Sequence, residues 1–413
     1  MCGPIVVIGA RLWNCQCSKR ALSFAKHMEA TGRRSGVQRH QGPGDAADAG
    51  AAGRAAHGHR RGAPARWRLP DRLNGRLGIR QECLGHEVHK GLHPRRRPVL
   101  GRVDRIDVRI GRLVGRQQLH QLALLQVLAD GVRALKPDAI QLNARCLGYS
   151  QTSEQVTLSF ENRPSVTGDL LIGADGVHSK IRTAMFGAEP TLFTGMVAWR
   201  ALIPMAALPA HMVRNVATNW VGPGGHVVHY PLNGGSVMNF VGTLEGNTWE
   251  GPPWSQPGTI EDCSRAFQGW HDDVQSLIRC APSVLKWAMC GRPFLPRWSE
   301  GRVTLMGDAC HPTLPFLAQG AVFTLEDAIV LQRCVSAYAN HLPLALVKYE
   351  QARMERAYRM VRGASDNTYR FHNRALAQQD TAEAFINKEW QQSAIGSRYD
   401  WLFHYSAMDA EIN

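Results

Sequence analysis

Two stretches hold polar residues where a folded chain could do chemistry. The first, GDLLIGADGVHSKIRTAMFG (168–187), is an apolar strand from Leu170 to Gly173 that ends in Ala-Asp-Gly before a helix. Asp175 then stands at the carboxyl end of a strand, the edge at which open α/β sheets bind ligands. Taken alone, Asp175-Gly176 reads equally as a turn with a helix-capping aspartate. The second, GRVTLMGDACHPTLPFLAQGAVFTLEDAIVL (301–331), follows the same plan. A strand runs into Gly307-Asp308, a proline-containing loop follows, and Gln319-Gly320-Ala321 opens a long helix. An aspartate just past a strand can hold the hydroxyls of a ribose or ribityl chain. The free amides at the helix start suit an electron-rich ring edge or a developing anion. His311, ahead of Pro312, reads as loop architecture.

Between these stretches lie FTGMVAWRALIP (193–204) and NWVGPGGHVVHYPLNGGSVMNFVGTLE (219–245). Their alternation, as at Val237, Asn239 and Val241, predicts an antiparallel sheet that walls a pocket. His226 and Tyr230 are four apart, so on a regular strand both side chains face one side. A histidine there can act as a base near neutral pH. The plainer reading is a satisfied strand histidine with His229 an exposed neighbour. Arg200 and Arg214 could pair with a substrate carboxylate or serve structure alone.

The elements that position these residues begin at the N-terminus. IVVIGA (5–10) reads as a buried first strand, with Gly9 opening a turn that could approach a pyrophosphate. Arg11, Leu12, Trp13 and Asn14 follow where more glycine belongs. Read one base later, the TGG codon of Trp13 and the A that begins any Asn codon give GGA, a glycine. Arg11 before Leu12 permits a second, although position 14 becomes Thr or Ile. Residues 11–116 carry 21 Arg and 3 Lys against 3 Glu and 5 Asp. Trp67 is the only Phe, Tyr or Trp between Phe24 and Tyr149. The segment 11–118 therefore reads as anomalous: translated out of frame, disordered, or a basic arm that binds nucleic acid. From about Leu119 ordinary sequence resumes, with Leu122, Leu125, Leu128 and Val132 at helical spacing.

The formal charge of +14 is thus local, because residues 11–116 contribute +16 and the rest −2. Nucleic acid is not the expected partner of the remainder. At 413 residues and 44% hydrophobic content the chain can bury the cores of two or three lobes. No run approaches the ~18 apolar residues of a membrane span, so the expected compartment is the cytoplasm. Ten cysteines lack any CxxC spacing, which favours reduced thiols and predicts no metal site.

The two motifs together with IVVIGA resemble the single-component FAD-dependent aromatic hydroxylases, of the salicylate and 3-hydroxybenzoate hydroxylase type. The likeness covers roughly residues 119–413 and the first ten. It implies that Gly9 belongs to the turn for the ADP part of FAD. It also implies that Asp175-Gly176 serves FAD and NAD(P)H, and that Gly307-Asp308 contacts the ribityl chain. Gln319, Gly320 and Ala321 would adjoin the flavin. His226 and Tyr230 would touch the substrate phenol, because phenolate attacks the oxygen carried by reduced flavin better than phenol does. Val322 and Phe323 depart from the smaller residues frequent at those positions.

The expected architecture is α/β: a discontinuous Rossmann-like FAD-binding lobe, an inserted antiparallel β-sheet substrate lobe and a helical C-terminus. The boundaries are 1–10 for the first strand, 11–118 for the anomalous segment and 119–187 for the continuing FAD lobe. The substrate lobe takes 188–290, the FAD lobe returns over 291–345, and 346–413 close the chain. There Arg353, Arg356, Arg359 and Arg362 read as a solvated or carboxylate-paired face, and Trp401, Leu402 and Phe403 as docking on the FAD lobe. The implied activity is NAD(P)H- and O2-dependent hydroxylation of a small hydroxylated aromatic acid, by a chain that could form a homodimer. A hydroxypyridine or quinolone-type ring is the alternative substrate. An inactive, cofactor-deficient product of a damaged gene and a basic-arm nucleic-acid binder are the alternatives of another class.

Overall fold

A computed structural model describes residues 5–9, 121–246, 248–249 and 255–412. The anomalous segment 11–118, with the expected glycine turn and basic arm, lies outside them. In chain order the elements begin with β1 (Ile5–Gly9) and α1 (Gln121–Leu135), the helix expected from its leucine spacing. Three short strands, β2 (Cys146–Gln151), β3 (Val156–Phe160) and β4 (Val166–Gly168), form an antiparallel sheet. Then come β5 (Leu170–Ala174) and the short helix α2 (Lys180–Phe186).

The next six strands belong to one antiparallel sheet. They are β6 (Leu192–Pro204), β7 (Thr218–Gly222), β8 (Gly225–Leu232), β9 (Val237–Glu245), β10 (Ser255–Gly258) and β11 (Val284–Gly291), in spatial order β10-β11-β6-β9-β8-β7. Helices α3 (Ile260–Ala266) and α4 (Asp272–Arg279) interrupt them. After β12 (Ser299–Glu300) and β13 (Val303–Leu305), the helices α5 (Gly320–Ala337), α6 (Leu342–Phe371), α7 (Gln379–Glu389) and α8 (Gln392–Phe403) complete the chain.

Strand β5 pairs in parallel with both β1 and β13, and β12 closes the edge. The run LLIG is buried throughout, as parallel strands require. Its core includes Trp298, Leu305, Phe323 and Tyr349, all fully buried. The large antiparallel sheet has a separate core. Trp199, Ala201, Ile203, Met238 and Phe240 point to one face and pack on Phe267, Val274 and Leu277 of the α3–α4 region. Strand alternation therefore turns His226, Tyr230, Arg200, Asn239 and Thr243 to the other face.

Of the four arginines spaced three apart on α6, Arg353 and Arg356 are carboxylate-paired, whereas Arg359 and Arg362 are exposed. Arg353 is fully buried and lies 2.8 Å from both Asp327 and Glu326, while Arg356 lies 2.9 Å from Glu326. The Arg356 guanidinium stacks 3.7 Å from the Tyr405 ring and that of Arg359 lies 4.2 Å from Trp401. These contacts dock the C-terminal segment on α6. Leu402 is buried with them, but Phe403, expected to dock, is 65% exposed because the helix turns it outward.

Candidate active site

The parallel register brings the sequence motifs together. Gly9 pairs with Ala174, and Leu305 pairs with Gly173, so three strand ends lie side by side. The Met306 N–H donates to Gly173 O at 3.0 Å and extends that alignment by one residue. Gly9, Asp175 and Gly307-Asp308 therefore share the carboxyl edge of one sheet.

Each motif is held locally. Asp175 accepts from Ser179 Oγ at 2.5 Å and from the Lys180 N–H at 2.7 Å, so its carboxylate ties the turn to the start of α2. Gly176 has φ +80°, a left-handed conformation that glycine adopts without cost. Gly307 has φ +63°, and a Cβ there would meet Thr324 Oγ1 at 2.8 Å. Its N–H donates to Asp327 at 3.2 Å. Asp308 is exposed, yet the surrounding protein raises its carboxyl above the usual range, with His311 acting in the opposite sense.

At α5 the Gln319 side chain makes no capping bond, and no acidic residue occupies the first turn. The first amides of an 18-residue helix, from Gly320 and Ala321 onward, are thus left by side chains for a ligand. Phe323 is fully buried, with the Arg353 guanidinium 5.3 Å from its ring, so its bulk enters the core. Val322 remains 44% exposed.

His311 is loop architecture, as expected, but of an ionic kind. It is buried and its Nε2 lies 2.7 Å from Asp327, which also pairs with Arg353. Burial alone would lower its pKa. Cys310 and the Asp327 carboxylate outweigh that and raise it well above the ordinary 6.5, with Asp327 decisive because it is charged at neutral pH. Sequence reasoning missed Arg182. This buried residue of α2 donates to Ala309 O at 3.3 Å and Pro293 O at 2.9 Å, and pairs with Glu189 at 2.6 Å. It pins the Asp175 helix to the Gly307 turn, and an arginine on a short helix gives no signal of that in sequence.

On the antiparallel sheet, His226 and Tyr230 share the face away from the α3–α4 core. His226 is 2% exposed, and its ring meets Phe316 edge-on with centroids 4.7 Å apart. Phe316 belongs to the loop that joins Asp308 to α5, so the sheet face meets that loop at this contact. His226 Nδ1 lies 2.7 Å from His372 Nε2, a partner 146 residues away. Burial, then the nearby His372, holds the His226 pKa well below 6.5. On β9, Thr243 stands opposite His226 and Asn239 opposite Tyr230. Both are buried, and Thr243 Oγ1 and Asn239 Nδ2 have no hydrogen-bond partner among the described residues. Arg200 shares the face and lies over the Trp287 ring at 5.6 Å. Arg214 instead lines a small cavity with Trp220 and His229 on the opposite face. His229, expected exposed, is 6% exposed against Trp220 because strand alternation turns it inward.

Residues 116–364 match the FAD binding domain family. The chain is 31% identical over 294 residues to 3-hydroxybenzoate 6-hydroxylase 2 of Aquipseudomonas alcaligenes, covering 70% of this chain and 89% of that one. The chain belongs to the FAD-dependent aromatic hydroxylases. It is also 34% identical over 260 residues to a 3-amino-4-hydroxybenzoate 2-monooxygenase of Streptomyces platensis. That match covers 63% of either chain, under two thirds of the relative's length. Among solved structures it is similar to salicylate hydroxylase in a substrate complex, with TM-score 0.57 and 27% identity over 68% of this chain and 73% of that one.

The described residues of this chain fit the ring and ribityl part of FAD. The glycine at position 307 leaves no room for a side chain beside Thr324, Asp308 offers an exposed carboxylate, and α5 presents amides without a side-chain cap. The residues expected to hold the adenylate, apart from Gly9, lie outside the described part of the chain. Among the described helices none is long and apolar enough to cross a membrane.

Proposed function

We propose that this chain is an NAD(P)H- and O2-dependent monooxygenase that hydroxylates a small hydroxylated aromatic acid. One observation carries the reading: the His226–Tyr230 sheet face meets, through Phe316, the loop between Asp308 and α5. That contact supports reading His226 as a phenol base beside the elements that suit a flavin.

Asp308 and the first turn of α5 would hold the ribityl chain and ring, with Gln319, Gly320 and Ala321 along its edge. Gly9, Asp175 and Gly176 would adjoin the rest of the cofactor at the same sheet edge. Reduced FAD with O2 supplies an electrophilic oxygen when bound. His226, kept neutral by burial, accepts the phenol proton, and Tyr230 orients the ring. Asn239 Nδ2 and Thr243 Oγ1 are buried donors without partners among the described residues, and they offer hydrogen bonds to polar substituents of the substrate. A cytoplasmic location and a homodimer belong to the same reading; cell fractionation and sedimentation test them. The family match begins at residue 116, where ordinary composition resumes, and this supports the view that 11–118 is translated out of frame.

The test is turnover of the purified chain supplied with FAD, NADH or NADPH, and 3-hydroxybenzoate or salicylate. Hydroxylated product formed in step with pyridine-nucleotide oxidation is expected, with His226→Gln lowering kcat about 100-fold or more. Full activity of His226→Gln would refute the assignment of the base.

A further inference from the structure

His226 ends a hydrogen-bonded chain that leads out of the protein. His226 Nδ1 lies 2.7 Å from His372 Nε2, and His372 Nδ1 lies 3.3 Å from Glu245 Oε1. The His226 and His372 rings are buried, whereas the Glu245 side chain is 49% exposed. Three elements bring the residues together: β8, the C-terminus of α6 and the end of β9. The backbone fixes the junction. Gly224 N–H donates to His372 O at 3.0 Å, and Glu245 N–H donates to Gly224 O at 2.9 Å.

Chemistry dictates the direction of this chain. An ionised carboxylate only accepts hydrogen bonds, so His372 must present Nδ1–H to Glu245. His372 Nε2 is then a lone pair and must accept from His226 Nδ1–H. His226 Nε2 is left as the unprotonated nitrogen. The geometry points to a proton relay: His372 and Glu245 hold His226 in the tautomer whose Nε2 is basic, and carry the substrate proton to solvent. The inference rests on the reading of His226 as the phenol base.

The step balances. The phenol oxygen keeps its electron pair and gives its proton to His226 Nε2. The Nδ1 proton of His226 passes to His372 Nε2, and the Nδ1 proton of His372 passes to the Glu245 carboxylate and on to water. One proton leaves the phenol and one reaches solvent, with both rings left neutral in the reversed tautomer. Other titratable or charged groups nearby are Tyr230 on the same sheet face, Arg370, which is paired with Glu389, and the exposed Arg374. The loop contributes only the apolar Phe316. His372 and Glu245 are positioning residues in this scheme, because neither touches the substrate.

Nitrogen-15 NMR of the full chain with labelled histidine tests the tautomers, with His226→Gln and His372→Gln assigning the two rings. Both rings are expected to be neutral near pH 7 and protonated on Nδ1. A His226 ring protonated on Nε2 would overturn the relay. Turnover of 3-hydroxybenzoate gives the second readout. Glu245→Gln, at the exposed end, is expected to lower kcat about tenfold and to shift the acid limb of the pH profile down by about one unit, because a neighbouring anion is lost. Formate in the buffer should restore much of the rate, and Glu245→Asp should retain it. An unchanged pH profile with no formate rescue in Glu245→Gln overturns the relay while the base assignment stands. Full turnover by His226→Gln overturns the base assignment itself.

Discussion

Replacing Asp327 by asparagine isolates the buried network under the Gly307-Asp308 turn. Asp327 Oδ1 accepts from Arg353 Nε at 2.8 Å, while Oδ2 accepts from His311 Nε2 at 2.7 Å and from the Gly307 N–H at 3.2 Å. Asparagine keeps the shape and one acceptor, but sets an NH2 donor against a donor and removes the charge that balances Arg353. Breaking a buried pair costs about 3–5 kcal/mol when the surviving ion stays buried. Glu326, 2.8 Å from Arg353, still accompanies the guanidinium, so the lower end, about 3 kcal/mol, is expected. At about 2–4 °C per kcal/mol this lowers Tm by roughly 6–12 °C. Urea unfolding followed by tryptophan fluorescence is the assay, since the Trp298 ring lies 5.4 Å from His311. The pH dependence carries its own sign. His311 has a raised pKa in the fold, so its contribution is complete below 6.5 and is lost as pH rises through the folded value. Asp327 is depressed despite burial, through His311 and Arg353, so its contribution is complete above 3.8 and is lost as pH falls through the folded value. Asp327→Asn should remove both dependences. A loss below about 1 kcal/mol with an unchanged pH profile would refute the network as a stabilising device. So would full additivity with Arg353→Met, since residues in one buried network couple.

His226 and His372 are held below 6.5 by burial, so between their folded values and 6.5 the unfolded chain binds protons that the fold does not. Stability should therefore fall as pH drops through that window, and His226→Gln should flatten the acid limb measured by denaturation at pH 5 and 7. Gly307→Ala should destabilise by at least about 1 kcal/mol more than Gly176→Ala. Both pay for a left-handed alanine at about 1–2 kcal/mol, but only at 307 would the Cβ also meet Thr324 at 2.8 Å; urea midpoints compare them. Sequencing the DNA around codons 11 and 119 should reveal a compensating pair of single-base errors. If no such pair restores glycine after Gly9 and ordinary composition over 11–118, the frame explanation fails.

The sequence by itself determined the motifs and their local roles. Apolar runs ending in Asp175-Gly176 and Gly307-Asp308 encode strand-to-turn junctions, and a separation of four residues encodes one sheet face for His226 and Tyr230. These are short-range consequences of backbone period and glycine freedom, legible wherever the intervening chain is regular. The compositional break near residue 119 was equally plain, and the family match starts within three residues of it. Tertiary structure decided which groups are charged, buried or paired. Arg353 read as part of a solvated or carboxylate-paired face and His311 as a loop histidine, and only the packing of α5 on α6 placed Asp327 between them. The link from His226 to His372 spans 146 residues and depends on a helix C-terminus meeting a hairpin. Burial and long-range pairing arise only when separate elements pack, and no local pattern in a single chain records which distant partner will arrive.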